Sequence, residues 1–308
     1  MVNTVLVTGG GGFIGTWVLK ELLSRGITPV VIDNHPAPGR WQTVLGPASG
    51  QVQLSTASLL RPEELQATLE DFAVTHVIHL AALLTPACQQ DPWLGCQVNI
   101  LGSAAVFEAA RKSGGVQSIS YASSYAVYGP EADADHSVSN QPPTFYGAFK
   151  QSVDLIAEQY WRHFQLPSMA VRPHVVYGPE RDQGLTAGPS LAARSAALGQ
   201  GFTIGYRGTV GYDYVEDVAR AFVQGALECP RSATVVDLPG EQVTTEEFAR
   251  KIEMIVPGVR GKIHVEGPQI PSNIPTQPRY ISKLFPDWTA TPLLEGIRKT
   301  VAFYRHND

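Results

Sequence analysis

The chain has 308 residues, 44% of them hydrophobic and 17% charged, a composition that buries a large core and excludes a disordered chain. Its 23 basic and 28 acidic side chains leave a formal charge of -5 with no block of like charge, so nucleic acid is not an expected partner. Apolar runs fall far short of bilayer-spanning length, the amino end lacks a basic leader region, and Cys88, Cys96 and Cys229 have neither CxxC nor metal-ligand spacing, so the expectation is a cytoplasmic chain with incidental thiols, no membrane contact and no metal.

Thr4–Thr8 reads as a strand, followed by Gly9-Gly10-Gly11-Gly12-Phe13-Ile14-Gly15 and a helical pattern over Phe13–Arg25. Strand, tight Gly-rich turn and helix let a pyrophosphate approach the backbone over the first turn of the helix. A second strand is expected over Thr28–Ile32, and Asp33 at its end is placed to accept hydrogen bonds from both ribose hydroxyls of NAD and to repel the extra phosphate of NADP. Next come a short strand at Gln51–Leu54 and a helix over Pro62–Phe72, with Pro62 at its start and Glu63 and Glu64 in the first turn. A strand over Thr75–Leu80 precedes a helix over Pro92–Ser113 that Gly114-Gly115 ends. A strand at Val116–Tyr121, a long amphipathic helix over Tyr146–Phe164 and a strand at Ser168–Val171 complete the first half. Apolar strands separated by helices predict a parallel sheet covered on both faces.

The second half is richer in Pro and Gly, notably in Tyr177–Pro189 and Gly258–Pro278. Helices are expected over Ser190–Leu198, Val215–Glu228 and Pro292–Tyr304, with a further strand at Val235–Leu238 and a helix capped by Thr244 or Thr245. This predicts a smaller, less regular lobe against the carboxyl ends of the sheet. No internal repeat is visible.

Tyr146 and Lys150 stand four residues apart and share a face of the long helix. An ammonium beside a phenol favours phenolate, which makes Tyr146 a candidate general base toward a hydroxyl or acid toward a carbonyl oxygen. Ser123-Ser124-Tyr125 follows a strand at the end where open sheets hold ligands, so Ser124 is placed to donate to a substrate oxygen. Asn99 is polar within an apolar helix and is read as a brace for backbone or water. His79, in a strand beside small residues, is read as support rather than catalyst, whereas His174 is open to a substrate role. In Gly184–Ser190, Thr186 and Ser190 are candidates for substrate hydroxyls and Arg181 for a carboxylate or phosphate; Thr85, Tyr125 and Tyr212 are further candidates. HExxH and Gly-x-Ser-x-Gly are absent, so metal hydrolysis and serine hydrolysis find no support.

The ordered set is more specific than any one motif. Gly9, Gly12 and Gly15 fit a TGxxGxxG turn; His79–Ala82, Val98-Asn99, Ser123–Gly129, Tyr146–Lys150, Arg172-Pro173, Tyr177–Pro179, Asp213–Ala219 and Ser282-Lys283 follow in order. Together they resemble, over nearly the whole chain, the extended short-chain dehydrogenase/reductase family of NAD-dependent epimerases and dehydratases. The resemblance implies an α/β Rossmann-like doubly wound parallel sheet with a smaller, partly discontinuous carboxyl-terminal substrate lobe. Residues 1–172 would be mainly the NAD-binding domain and 173–308 mainly the substrate lobe, with segments around 206–240 returning to the main domain. It assigns catalysis to Ser124, Tyr146 and Lys150, with Tyr146 and Ser124 also touching substrate. It assigns NAD contacts to Gly9, Gly12, Phe13, Ile14, Gly15, Asp33, Asn34, Ser58, Leu59, Leu80, Ala81, Ala82, Asn99, Ser123, Tyr146, Lys150, and, after Arg172, to Pro173, Val175 and Val176. A homodimer through helices near Leu101 and Leu155, forming a four-helix bundle, is also implied.

Departures from the family pattern narrow the chemistry. Dehydratases of this type carry Thr-Asp-Glu where this chain has Ser124-Tyr125-Ala126, so the acids of elimination are missing. Nucleotide-sugar members carry Asn at the Val175 position, Arg near Val210 and an Arg-x-Gly-Asp stretch absent from Glu266–Tyr280; losing these forks and donors favours a smaller, non-nucleotide substrate or another phosphate grip. Ser58 replaces an Asp often found beside adenine. The expectation is an NAD-dependent sugar epimerase-type oxidoreductase acting at a secondary alcohol. Two alternatives stand beside it: a dehydrogenase or reductase of a small sugar, sugar acid or hydroxy-carbonyl compound, and a nucleotide-binding regulatory protein with a disused site.

Overall fold

Strands that are buried at every residue belong between two layers of helices. That is the pattern of β1 (Val5–Thr8). The computed structural model describes residues 3–129, 141–270 and 278–307. After β1 the chain runs α1 (Phe13–Ser24), β2 (Pro29–Ile32), α2 (Pro38–Leu45), β3 (Gln53–Ser55), α3 (Pro62–Asp71), β4 (His76–His79), α4 (Thr85–Gln90), α5 (Pro92–Cys96), α6 (Gly102–Ser113), β5 (Ser118–Ala122) and α7 (Phe145–Phe164). It continues as β6 (Ser168–Arg172), β7 (Val175–Tyr177), α8 (Gly188–Ala197), β8 (Phe202–Ile204), β9 (Thr209–Tyr214), α9 (Val215–Leu227), β10 (Ala233–Asp237), β11 (Glu241–Thr244), α10 (Thr245–Ile255), β12 (Ile263–Val265) and α11 (Leu293–Asn307).

Seven parallel strands form the main sheet in the order β10-β6-β5-β4-β1-β2-β3. The order reverses between β1 and β4, and such a switch point opens a crevice at the carboxyl ends of the strands. One apolar cluster includes Val5, Trp17, Leu22, Val218 and Phe222; another, with α3, α6 and α7, includes Leu6, Leu65, Phe107 and Val153. The doubly wound fold therefore stands, and β10 brings a late segment back to pair with β6 in register Val236↔Val171.

Beyond this sheet, β11-β9-β7 form a small sheet and β12-β8 a pair. Apart from β10, the second-half strands were not legible. All but β9 are three or four residues long, and β8 and β11 show no clean alternation of buried and exposed residues. Helix α2 was also missed, because only Trp41 and Val44 of its residues are buried and its pattern is that of a surface loop. The helix expected over Pro92–Ser113 is interrupted: α5 and α6 are joined by a π-helical turn, Gln97–Leu101. The inserted residue turns Asn99 inward, where its Oδ1 accepts from the Leu83 amide at 2.8 Å and its Nδ2 donates to the Leu83 carbonyl at 2.9 Å.

A buried ionic network ties α7 to the sheet. Arg172, at the end of β6, donates to Asp154 Oδ2 on α7 at 2.6 Å and to the Tyr128 hydroxyl at 2.7 Å. Ser123 donates to the same carboxylate at 2.9 Å, and Tyr121 to its other oxygen at 3.1 Å. The side chains of Arg172 and Asp154 are only 10% and 9% exposed, so removing one leaves the other uncompensated. Asp154→Ala should lower the unfolding free energy by roughly 3–5 kcal/mol, measured by urea denaturation; an unchanged midpoint would show that the network is dispensable.

Candidate active site

The switch-point crevice is built by three carboxyl-end turns, after β1, β4 and β5. At the first, Gly9 has φ +75, and a Cβ there would meet the Ala81 amide at 2.7 Å. The turn can therefore lie against the Leu80–Ala82 segment only with glycine. Thr8 fixes that contact, since its Oγ1 accepts from the amides of Leu80 at 3.2 Å and Ala81 at 3.3 Å. Its hydroxyl also meets His79 Nδ1 at 2.6 Å, and His79 Nε2 meets Ser103 Oγ at 2.9 Å. Because Ser103 donates onward to the Asn99 carbonyl at 2.7 Å, it accepts from Nε2–H and Thr8 donates to Nδ1. Burial pulls His79 down to about 3, so it is a neutral strut.

Helix α1 opens at Gly12 with no side-chain cap. Its first amides are therefore left for an anion, and the bare Gly-rich turn gives that anion access, so these residues fit the pyrophosphate of a dinucleotide. Asp33 follows β2 beside the turn, its Oδ2 accepting from the Gly11 amide at 2.8 Å and its Oδ1 from the His35 amide at 2.7 Å. Each oxygen retains a lone pair that can accept from a ribose hydroxyl. Helix α2, unseen in the sequence, clamps the same turn: Trp41 Nε1 donates to the Gly10 carbonyl at 2.9 Å and Arg40 to the Gly11 carbonyl at 2.8 Å.

Thr144 caps α7 by accepting from the Gly147 amide at 3.1 Å. A Cβ on Gly147 would meet the Ala126 carbonyl at 2.1 Å, so glycine beside Tyr146 lets the helix press on the turn after β5. This brings the phenol of Tyr146 to the hydroxyl of Ser124, whose hydrogen bond lowers the phenol's pKa while burial, the larger effect, pushes it up to about 12. Ser124 Oγ accepts from the Ala126 amide at 3.1 Å, which leaves its own proton to donate. Lys150 is 6% exposed and donates to the Ala122 carbonyl at 2.7 Å. Burial pulls it down to about 8.

The sequence pairing of Tyr146 with Lys150 is corrected in one respect. The ammonium lies 5.6 Å from the centre of the phenol ring, and the phenol's pKa is governed by burial and Ser124 instead. Helical spacing placed the two groups on one face but not the low-polarity surroundings that dominate.

Other residues expected at the ligands also have places in the framework. Asn99 and Ser123, expected at the cofactor, brace Leu83 and Asp154. Ser58 Oγ accepts from the Leu60 amide at 3.3 Å within a turn, and Leu59 packs over Gly102. Asn34 is exposed just past Asp33. On the substrate side, Ser190 is 1% exposed and its hydroxyl accepts from the Gly178 amide at 3.2 Å. Tyr212 is 3% exposed with its hydroxyl 3.1 Å from that of Tyr206. His174 stacks on Tyr125 with ring centres 3.3 Å apart, and Tyr125 donates to the Leu238 carbonyl at 3.0 Å. Ser190 and Tyr212 thus have hydrogen-bond partners and His174 a stacking partner within the packed lobe, which a sequence pattern does not reveal. Thr85 opens α4, half-buried. Pro173 accepts from the Tyr125 amide at 3.3 Å, while Val175 and Val176 begin β7. Arg181 and Thr186 meet, Arg181 donating to the Thr186 hydroxyl at 2.8 Å. Asp154 was missed; its position one helical turn beyond Lys150, on the face of Tyr146, was the available signal.

The model of the NAD dependent epimerase/dehydratase family matches residues 5–234. UDP-glucose 4-epimerase of Mycolicibacterium smegmatis is 28% identical over 98% of this chain and 99% of its own. D-erythronate dehydrogenase of Cupriavidus necator is 32% identical over 55% of this chain and 56% of its own, so that match spans little more than half of either protein. Among solved structures, UDP-glucose 4-epimerase of Thermus thermophilus, in complex with NAD, has a TM-score of 0.81 at 27% identity, covering 98% of this chain and 99% of that one.

If Asp33 selects by charge, NAD should bind more tightly than NADP. Asp33→Asn should narrow that preference by about tenfold, or ~1.4 kcal/mol, in fluorescence titration; an unchanged ratio would place the selectivity elsewhere.

Proposed function

The chain belongs to the NAD-dependent epimerase/dehydratase family and is an NAD-dependent enzyme of the extended short-chain dehydrogenase/reductase type; from that premise we propose that it oxidises a secondary alcohol of a sugar or sugar derivative in the manner of an epimerase. The support is the convergence of Tyr146, Ser124 and Lys150 beside the crevice at the carboxyl ends of the sheet. Bound in that crevice, NAD supplies the hydride acceptor and, when oxidised, a positive charge. Tyr146 takes the hydroxyl proton as its carbon–hydrogen bond breaks, and Ser124 donates to the same substrate oxygen. Lys150, held by the Ala122 carbonyl, positions the cofactor's ribose and offsets the developing charge. The resulting ketone can turn, receive hydride on its other face and regain its proton from Tyr146, giving the epimer. On this reading residues 1–172 with the returning segment serve the cofactor, and 173–308 mainly the substrate.

A second reading, net dehydrogenation of a small non-nucleotide sugar or sugar acid, has its own support. Val210 stands where nucleotide-sugar members carry Arg and is buried at 9% exposure, so it offers a diphosphate nothing. The similarity to D-erythronate dehydrogenase points the same way. Released NADH equal to substrate consumed would select this outcome; a changed product configuration without net NADH selects epimerisation.

The reading includes a homodimer in the cytoplasm. No helix among the described residues is long and apolar enough to cross a membrane. Leu101 and Leu155 are 54% and 58% exposed, and Leu101 lines a groove with Leu60, Pro62 and Ala104. A second copy packing its own α7 against this face would bury both leucines, completing a four-helix bundle.

Two outcomes test these statements. Tyr146→Phe should cut hydride transfer by roughly 10²–10⁴-fold with NAD affinity retained; because phenolate is the scarce form, wild-type oxidation should accelerate with pH above neutrality, and a fully active variant would remove Tyr146 from its role. Leu101→Glu combined with Leu155→Glu should sediment as a monomer; a species of the same mass as wild type would reject the bundle.

A further inference from the structure

Arg181 is a partly buried cation whose charge the fold does not answer. Other sheltered arginines have carboxylates: Arg172 has Asp154, and Arg40 has Asp182 at 2.7 Å and Glu180 at 3.8 Å. Among the described residues, no carboxylate lies within ion-pair distance of Arg181. Of its five N–H donors, one meets the Val176 carbonyl and another the Thr186 hydroxyl. Both acceptors are neutral. Removal from water lowers its pKa only to about 10, so the group stays charged at neutral pH.

The backbone forces it inward. Glu180 holds φ 69, a left-handed conformation that costs a non-glycine residue energy. Its amide donates to the Tyr304 hydroxyl at 2.7 Å, and the carbonyl of Pro179 accepts from Trp17 Nε1 at 3.1 Å. With Glu180 and Asp182 both drawn to Arg40, the residue between them is directed to the opposite side, where Arg181 lies between Thr186 and the ring of Phe13. Its charge is felt there by the phenols of Tyr146, Tyr206 and Tyr212.

We infer that Arg181 and Thr186 form the anion subsite of the substrate pocket, and that the substrate is a sugar acid whose carboxylate pairs with this guanidinium. The inference deepens the proposed function and rests on Tyr146 being the reacting base. A carboxylate can take the free edge of the fork in a bidentate pair, and Thr186, which accepts from Arg181, keeps its own proton to donate. One guanidinium and one hydroxyl suit a single carboxylate better than a diphosphate. The cofactor's phosphates have their own donors in the uncapped first turn of α1.

The test is equilibrium binding by calorimetry to NADH-loaded protein, with D-erythronate, D-gluconate and D-glucuronate set against erythritol, glucitol and D-glucose, and with UDP-glucose as the nucleotide probe. At least one acid should bind more than about tenfold tighter than its neutral counterpart, and Arg181→Gln should remove at least that margin. NADH affinity should be unchanged in this variant, and Arg181→Lys should recover part of the acid affinity. Tyr146→Phe should keep the preference for the acid over its neutral counterpart while losing turnover, so failed catalysis and failed anion recognition are read separately. Unchanged acid binding in Arg181→Gln overturns the inference. So does a loss of NADH affinity, which assigns the charge to the cofactor's phosphates. Tighter binding of UDP-glucose than of every acid also overturns it. If Arg181→Gln does not fold, absence of any acid preference in wild type or of acid binding in Arg181→Lys overturns it equally.

Discussion

The buried pair between Arg172 and Asp154 is the constraint on which the site's geometry depends. It joins the carboxyl end of β6 to the face of α7 that also carries Tyr146 and Lys150. A charged pair out of water is held only if its remaining donors and acceptors are met. Here Ser123, Tyr121 and Tyr128 meet them, and Tyr128 in turn donates to Asp237 at 2.9 Å in β10. One network thus registers α7 against three neighbouring strands. Turning the helix about its axis would break the network before it moved the phenol far.

Close backbone approach is the companion constraint. The turn after β1 touches the segment after β4 with no side chain between them, and α7 touches the turn after β5 in the same way. These contacts give a crevice walled by main chain, with its polar groups directed by Thr8, His79, Ser103 and Asn99. Those four side chains bond to one another and to the backbone of the turns. They decide where the groups that face a ligand will be.

Charge inside the crevice is distributed unevenly. The phenol is pushed up to about 12 and the Lys150 ammonium down to about 8, both by loss of water. Each shift favours the neutral form, so the site without its cofactor resists the charge separation that proton abstraction needs. On the proposed reading, a positively charged ring bound beside Tyr146 would shift that balance toward phenolate and couple the base to the cofactor's oxidation state. Arg181 adds a second charge, and its neighbours Glu180 and Asp182 pair with Arg40 instead, so among the described residues no carboxylate answers it.

Much of this was legible in the chain itself. Apolar strands spaced by helices specified the parallel sheet, because a strand covered on both faces has no polar side to alternate. The Gly9–Gly15 turn and Asp33 specified a dinucleotide crevice, because few other needs put a bare backbone at a strand end with an acid after the next strand. Tyr146, Lys150 and Ser124 could be singled out as neighbours because helical spacing and strand-end position are local properties. Tertiary structure alone decided the rest. Helix α2, the small sheets and the fates of Ser190, Tyr212 and His174 depend on partners distant in sequence, and a polar residue carries no mark of whether a backbone group or a ligand will satisfy it. The phenol's raised pKa and the unanswered charge of Arg181 were hidden for the same reason: removal from water, and the absence of a nearby acid, are properties of a packed volume and of no stretch of chain.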